Sequence, residues 1–231
     1  MNFSELKRGQ EARLDSGVFA KWQKLRELAV SKAKLHPEID DWIILHGFNP
    51  TGGIDPSIEN EAAMVMREVF KASQPDIILG IGNSGLPFAE RVKKEFPRAE
   101  YKVVKKLGAV SRGMEIDGIK YTVAPSRSHQ GKLYVLEMPE IDAGTRTLII
   151  DDFGAHGSTI EAVIKAARLQ NARIVGAGLM ADKNFLGGFQ RVCSELKVPG
   201  FSIIRIASTN RNNGPLGQIV LMDEKNSLKI V

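Results

Sequence analysis

Short apolar segments that alternate with amphipathic segments are the feature of this sequence that most restricts its fold. Strands are predicted at residues 76–81, 101–104, 132–136, 147–150, 173–180 and 201–206. Helical patterns stand before and between them, beginning near residues 56, 86, 158 and 187. Strands that alternate with helices form a parallel sheet whose two faces are covered. The sequence therefore predicts an α/β fold with a parallel sheet flanked by helices.

The chain is predicted to form one domain, because it contains no internal repeat, low-complexity tract or linker. Asp55-Pro56 begins the first helix of the alternating series, with an N-cap carboxylate and a proline at the first helical position. An earlier amphipathic pattern covers residues 18–34, and His36-Pro37 ends it because the residue before a proline avoids helical geometry. We predict a helical extension over residues 1–40 and the main fold over residues 41–231.

Composition restricts the class of protein. Of the 231 residues, 43% are hydrophobic and 26% are charged, a balance typical of globular chains. The single cysteine, Cys193, excludes a disulfide framework and suits a reducing compartment. No apolar run reaches the roughly 18 residues that a membrane span needs, and the first residues lack the pattern of a signal peptide. We therefore expect a cytoplasmic protein without a membrane partner.

The net charge of +5 comes from 32 basic and 27 acidic residues. A basic excess can serve nucleic acid, a membrane surface or a phosphate-rich small ligand. The sequence contains no zinc-finger spacing, no aromatic RNA-binding signature and no run of five like charges. We therefore expect no nucleic-acid partner.

The segment with the clearest chemical meaning is residues 148–159, in which an apolar strand leads into Asp151-Asp152, a turn of small residues and a helix. Free N–H groups and the helix dipole favour an anion at such a turn, and Ser158 and Thr159 add hydroxyl donors. Two acids beside an anion site suit a ligand that also carries hydroxyls or a metal, as a ribose 5-phosphate does. The alternative is a capped helix after a core strand, with solvated acids.

Residues 148–159 resemble the ribose-phosphate signature of type I phosphoribosyltransferases, in which an apolar strand precedes Asp-Asp, four residues, Gly, one residue and Thr. The chain has His156 where the signature has Thr or Asn. Three more segments are similar to the xanthine phosphoribosyltransferase branch and the related purine-operon repressors: residues 48–56, 181–188 and 204–208. The matches lie in order and cover residues 42 to 210. The resemblance implies a small hood and a mobile catalytic loop beside the sheet.

The resemblance implies 5-phosphoribosyl 1-diphosphate (PRPP) as donor and magnesium carried by the donor's oxygens and water, with no metal ligands from the protein. The implied catalytic residues are Lys106, Arg127, Asp151 and Asp152. Arg127 belongs to residues 107–131, which we predict to form a loop that closes over the reaction. The implied donor-binding residues are Asn83, Ser84, Gly85, Lys105, Asp151, Asp152, Ala155, His156, Gly157, Ser158 and Thr159.

For the base, the resemblance implies that Lys183 binds an exocyclic oxygen, that Phe185 stacks on the ring, and that Ile43, Ile44 and Asn49 form the hood. An ammonium group only donates hydrogen bonds, which favours a carbonyl. The implied function is transfer of ribose 5-phosphate to a 6-oxopurine (xanthine, guanine or hypoxanthine) in purine salvage, by a homodimer.

Two alternatives stay open. The first is a non-catalytic regulator that senses PRPP, as purine-operon repressors do. The short segment before the fold and the long basic loop favour the enzyme. The second is a phosphoribosyltransferase for another base, adenine or orotate.

Overall fold

A computed structural model of the chain describes residues 11–12, 15–36, 43–49, 53–111, 114–125, 133–211, 217–222 and 228–229. Its helices are α1 (Ser16–Lys32), α2 (Pro56–Phe70), α3 (Gly82–Glu95), α4 (Ser158–Leu169) and α5 (Gly188–Glu195). Short 3-10 turns cover Lys71–Ser73 and Asn184–Leu186. The strands are β1 (Glu11–Ala12), β2 (Ala33–Leu35), β3 (Ile43–Leu45), β4 (Phe48–Asn49), β5 (Gly53–Ile54), β6 (Ile77–Ile81), β7 (Glu100–Ala109), β8 (Tyr121–Pro125), β9 (Leu133–Glu137), β10 (Arg146–Gly154), β11 (Arg173–Asp182), β12 (Gly200–Asn210), β13 (Gln218–Leu221) and β14 (Leu228–Lys229).

Eight of these strands form the central sheet, in the order β13-β12-β11-β10-β6-β7-β9-β8. The five strands from β12 to β7 in this order are parallel, whereas β13, β9 and β8 are antiparallel to their neighbours. The predicted α/β fold is confirmed. The antiparallel strands at the two edges were not predicted.

The helices cover both faces of the sheet, and each face has its own apolar cluster. One cluster holds the buried side chains of α1, α2 and α3, and the other those of α4 and α5. Strand β10 serves both, because successive side chains of a strand point to opposite faces. Leu148 and Ile150 belong to the first cluster and Ile149 to the second. This explains why the predicted strands are continuously apolar rather than alternating.

The first helix packs on the same core as the sheet. Its N-terminus is capped by Asp15, whose carboxylate accepts from the Gly17 N–H at 2.9 Å. Buried Trp22 donates its indole N–H to the Ile203 carbonyl of β12 at 3.0 Å. The prediction of a helix to residue 34 was too long, because residues 33–35 form β2, which pairs with β3. None of the described helices is long and apolar enough to cross a membrane.

The second helix begins where the sequence predicts. The Asp55 carboxylate accepts from the backbone N–H of Ser57 at 3.0 Å and from its hydroxyl at 2.7 Å. Pro56 occupies the first helical position. Six of its apolar side chains are buried: Ile58, Ala62, Val65, Met66, Val69 and Phe70.

The segment predicted as a long loop, residues 107–131, carries regular structure. Strand β7 continues to Ala109, and β8 occupies Tyr121–Pro125 and pairs with β9, which pairs in turn with β7. Between them, the Asp117 carboxylate accepts the backbone N–H groups of residues 119–121 and fixes a turn. The loop prediction was wrong for residues 107–109 and 121–125, because these partly exposed strands lack a clear apolar pattern. Residues 112–113 and 126–132, including Arg127, lie outside the described residues.

Candidate active site

The two adjacent acids lie on a strand that is longer than predicted, since β10 continues through them to Gly154. Asp151 and Asp152 are only 4% and 9% exposed, so the alternative of solvated acids is wrong. Asp152 accepts from the Ser84 hydroxyl of α3 at 3.1 Å. A Cβ on Gly85 would lie 2.5 Å from an oxygen of Asp151. The first turn of α3 therefore contacts both acids, and Gly85 permits that contact because it has no side chain.

Burial makes Asp151 hard to ionise. Loss of contact with water and the neighbouring Asp152 charge raise the pKa of Asp151 well above its ordinary value, and nearby Lys106 acts in the opposite direction. The site thus combines a buried carboxyl pair with a cation. Such a group binds hydroxyls readily, because a carboxyl group accepts hydrogen bonds from them in either protonation state.

The adjacent residues Lys105 and Lys106 have side chains in different surroundings. The side chain of Lys106 crosses the start of α3, where a Cβ on Gly82 would lie 2.5 Å from its Cε. The Lys106 ammonium is 5.8 Å from the ring centre of Tyr134, within cation–π range. Lys105 pairs instead with Glu137 of β9 at 3.4 Å, and its side chain is 66% exposed. Only Lys106 joins the acids, because adjacent strand residues point to opposite sides.

Tyr134 joins this cluster and was missed by the sequence analysis. Its hydroxyl shares a hydrogen bond with that of Thr159, in the first turn of α4. Tyr134 therefore connects strand β9 and Lys106 with the predicted phosphate turn. No local signal marks it, since residues 134 and 159 meet only through packing.

The predicted phosphate turn leads directly into α4. Gly157 precedes the helix with φ of +76°, a conformation that glycine adopts at little cost. A Cβ on Gly188, the first residue of α5, would lie 2.2 Å from the carbonyl carbon of His156. The turn is thus packed backbone to backbone against α5. Ala155, Ser158 and Thr159 are partly exposed here, and His156 is exposed.

Gly188→Ala is expected to displace this turn and to lower kcat/KM for the donor about a hundredfold, since small misplacements in a site can cost that much. The matched control is Gly178→Ala. There the new Cβ would meet the Met66 sulfur at 2.8 Å and the Ile150 side chain at 2.9 Å, inside the core. The control should lower thermal stability by overpacking and leave kcat/KM for the donor unchanged. Equal donor kinetics in both variants would contradict the assignment of the turn.

The residues predicted to bind the base, Lys183 and Phe185, follow strand β11. Lys183 is 7% exposed, so it is not a solvated strand-end residue. Its ammonium lies 5.7 Å from the ring centre of Phe153, and its backbone N–H donates to the Gly154 carbonyl at 3.0 Å. Phe185 follows in the 3-10 turn and is partly buried against the apolar cluster that also contains Ile43. This places Lys183 beside the strand that carries the two acids.

The other predicted hood residues are only partly described. Ile44 is half-exposed in β3, next to the buried Ile43. Asn49 belongs to β4, which pairs with β5 in a short hairpin, but its side chain lies outside the described residues. Asn83, which was predicted to bind the donor and not the base, is exposed in the first turn of α3.

The model of the phosphoribosyl transferase domain matches residues 54–187, which are more than half of the chain. The chain belongs to the phosphoribosyltransferase family. The resemblance stated from the sequence is confirmed, and the prediction of an enzyme that transfers a pentosyl group is confirmed with it.

The relatives divide between two purine bases. A xanthine phosphoribosyltransferase of Bifidobacterium adolescentis is 27% identical over 154 residues, 64% of this chain and 76% of the relative. An adenine phosphoribosyltransferase of Sorangium cellulosum is 25% identical over 158 residues, 67% and 74% of the two chains. The comparisons therefore support a purine phosphoribosyltransferase, close to the xanthine branch.

A solved structure shows the same fold. The adenine phosphoribosyltransferase of Rhodothermus marinus superposes with a TM-score of 0.62 at 18% identity, over 80% of this chain and 99% of that protein. At this identity the likeness concerns the arrangement of the chain and not its substrate.

Proposed function

We propose that this phosphoribosyltransferase transfers ribose 5-phosphate from PRPP to a 6-oxopurine, namely xanthine, guanine or hypoxanthine, as a step of purine salvage. The observation that carries the choice of base is the buried Lys183 beside the acid-bearing strand. Its ammonium can donate to a ring carbonyl oxygen, whereas the exocyclic amino group of adenine is itself a donor. Adenine is the second candidate, because one relative and the solved structure are adenine phosphoribosyltransferases.

The donor would span the cluster described above. Asp151 and Asp152 would hold the ribose hydroxyls, and residues 155–159 the 5-phosphate, through backbone N–H groups and the hydroxyls of Ser158 and Thr159. Lys106 and the first turn of α3 would hold the diphosphate. The contacts of Ser84 and Gly85 with the acids support this proposal, because they bring the two halves of the donor site together.

In the reaction, the bond between ribose C1 and the diphosphate oxygen breaks, and its electron pair leaves with the diphosphate. A purine ring nitrogen forms the new bond to C1, and its proton passes to the leaving diphosphate or to water. The protein holds the reacting groups together and stabilises the charge that develops on the leaving group, and these effects can account for most of such an acceleration. Lys106 would stabilise the charge of the leaving group.

We propose that magnesium arrives with the donor. Among the described residues, no group of three or more His, Cys, Asp or Glu side chains is placed to hold a metal ion. Magnesium prefers hard oxygen ligands, which the donor's phosphate oxygens and water would supply, and the protein would contribute no ligand of its own. When bound, the ion adds positive charge beside the diphosphate.

Four further assignments stay predictions. Arg127 would close over the diphosphate, where its planar guanidinium suits phosphate oxygens. Asn49 would contribute to the hood over the base. The homodimeric state and the cytoplasmic location also stay predictions.

The test is product analysis with PRPP, magnesium and a panel of xanthine, guanine, hypoxanthine, adenine and orotate. The expected products are nucleoside monophosphates of the oxopurines. Turnover of adenine or orotate alone would overturn the choice of base and keep the donor site. Binding of PRPP without turnover of any base would instead support the regulator.

A further inference from the structure

A partly buried hydrogen-bonded network surrounds the segment that carries Lys183. It consists of Asp182, Asn184, Gln190 and Arg205, and we call it the Asp182 network. The side-chain N–H₂ of Gln190 donates to the carboxylate of Asp182 and to the amide oxygen of Asn184, both at 2.5 Å. Arg205 donates to the same oxygen of Asn184 at 2.9 Å. The network joins β11, the 3-10 turn, α5 and β12.

The central observation is that one amide group holds both neighbours of Lys183 in the sequence. Gln190 contacts residue 182 on one side and residue 184 on the other. The backbone of Lys183 is bound as well, since its N–H donates to Gly154 and its carbonyl accepts from Leu186 at 2.9 Å. The backbone from which the Lys183 ammonium extends therefore depends on Gln190.

Stability alone explains this network poorly. Asp182 is fully buried. One of its oxygens and the amide oxygen of Gln190 have no hydrogen-bond partner among the described residues. Burial raises the pKa of Asp182 to about 6, while the bond from Gln190 and the charge of Arg205 act in the opposite direction. Partly paired buried polar groups cost folding energy, and apolar replacements of similar volume are often as stable or more stable.

We infer that Gln190 is a positioning residue for the base, which fixes Lys183 and Phe185 through the Asp182 network and thereby contributes to base selection. The inference rests on the proposed base site. Gln190 does not touch the base in this arrangement. It acts through the residues on either side of Lys183, so its loss should affect the base more than the donor.

The test is Gln190→Met, which keeps the length of the side chain and removes its hydrogen bonds. We expect KM for the preferred base to rise about tenfold, the effect of losing roughly one hydrogen bond, with unchanged PRPP affinity by calorimetry. The matched control is Arg191→Met. Arg191 follows Gln190 on α5 and is exposed. The variant loses the ion pairs of Arg191 with Glu161 and Glu195, which do not involve the 3-10 turn after Lys183. The control should leave KM for the base unchanged.

A second variant covers the case in which Gln190→Met does not fold. Asn184→Ala removes the shared acceptor from a partly exposed position and should raise the same KM. Unchanged base KM in the variants that fold, or an equal loss of PRPP affinity, would overturn the inference. All assays use the base that the wild-type protein prefers in the panel. A preference for adenine would thus overturn the oxopurine proposal separately from the role of Gln190.

Discussion

Replacing both acids, Asp151→Asn with Asp152→Asn, is expected to weaken PRPP binding about a hundredfold to ten-thousandfold while the protein stays folded. A hydrogen bond to a charged group contributes about 1.5–3 kcal/mol, and two such groups are lost. Calorimetric titration with PRPP and magnesium measures the loss. Unchanged affinity would contradict the placement of the ribose hydroxyls.

The single variant Asp151→Asn tests the burial of this acid through the pH dependence of thermal stability. Because the folded state raises the pKa of Asp151 above its unfolded value, ionisation of this group opposes folding. That penalty is absent below the unfolded pKa, which is about 3.9, and it grows as pH rises toward the folded pKa. Asp151→Asn removes it, so the thermal stability of this variant relative to wild type should rise as the pH increases above the unfolded pKa of about 3.9. Asp142→Asn, at an exposed acid, is the control and should show no such trend.

Lys183→Met is expected to lower kcat/KM for 6-oxopurines about ten- to a hundredfold, because a hydrogen bond from a charged donor to the ring carbonyl is lost. PRPP affinity should not change. Steady-state kinetics with xanthine, guanine, hypoxanthine and adenine, together with calorimetry, measure both effects. Lys165→Met removes an exposed lysine that pairs with Glu161 on α4 and should leave both values unchanged. A Lys183→Met enzyme that keeps the wild-type preference for oxopurines would exclude this contact.

The elements that the sequence predicts correctly are those with local signals. The cap at Asp55-Pro56 begins α2 at the predicted residue, and the apolar stripe of that helix is buried. Residues 148–159 form a strand, a turn and a helix in the predicted order. Apolar spacing, capping and glycine turns act over a few residues, so the order of amino acids reports them directly.

Other features depend on which distant residues pack together. The sequence assigned Lys106 a catalytic role and Lys105 a role in donor binding, but the pleat of β7 directs only Lys106 to the acids. The sequence predicts a loop over residues 107–131, because the strands within this segment are stabilised by pairing with β9 and not by an apolar pattern of their own.

The α/β class, the acid pair with its phosphate turn and the family to which they point can be predicted from the order of amino acids. The contact of Tyr134 with Thr159 and the hydrogen bonds of Gln190 to the residues on both sides of Lys183 become known from the folded chain. These contacts join different elements of the fold. Their geometry depends on strand register and helix packing, which local sequence patterns do not specify.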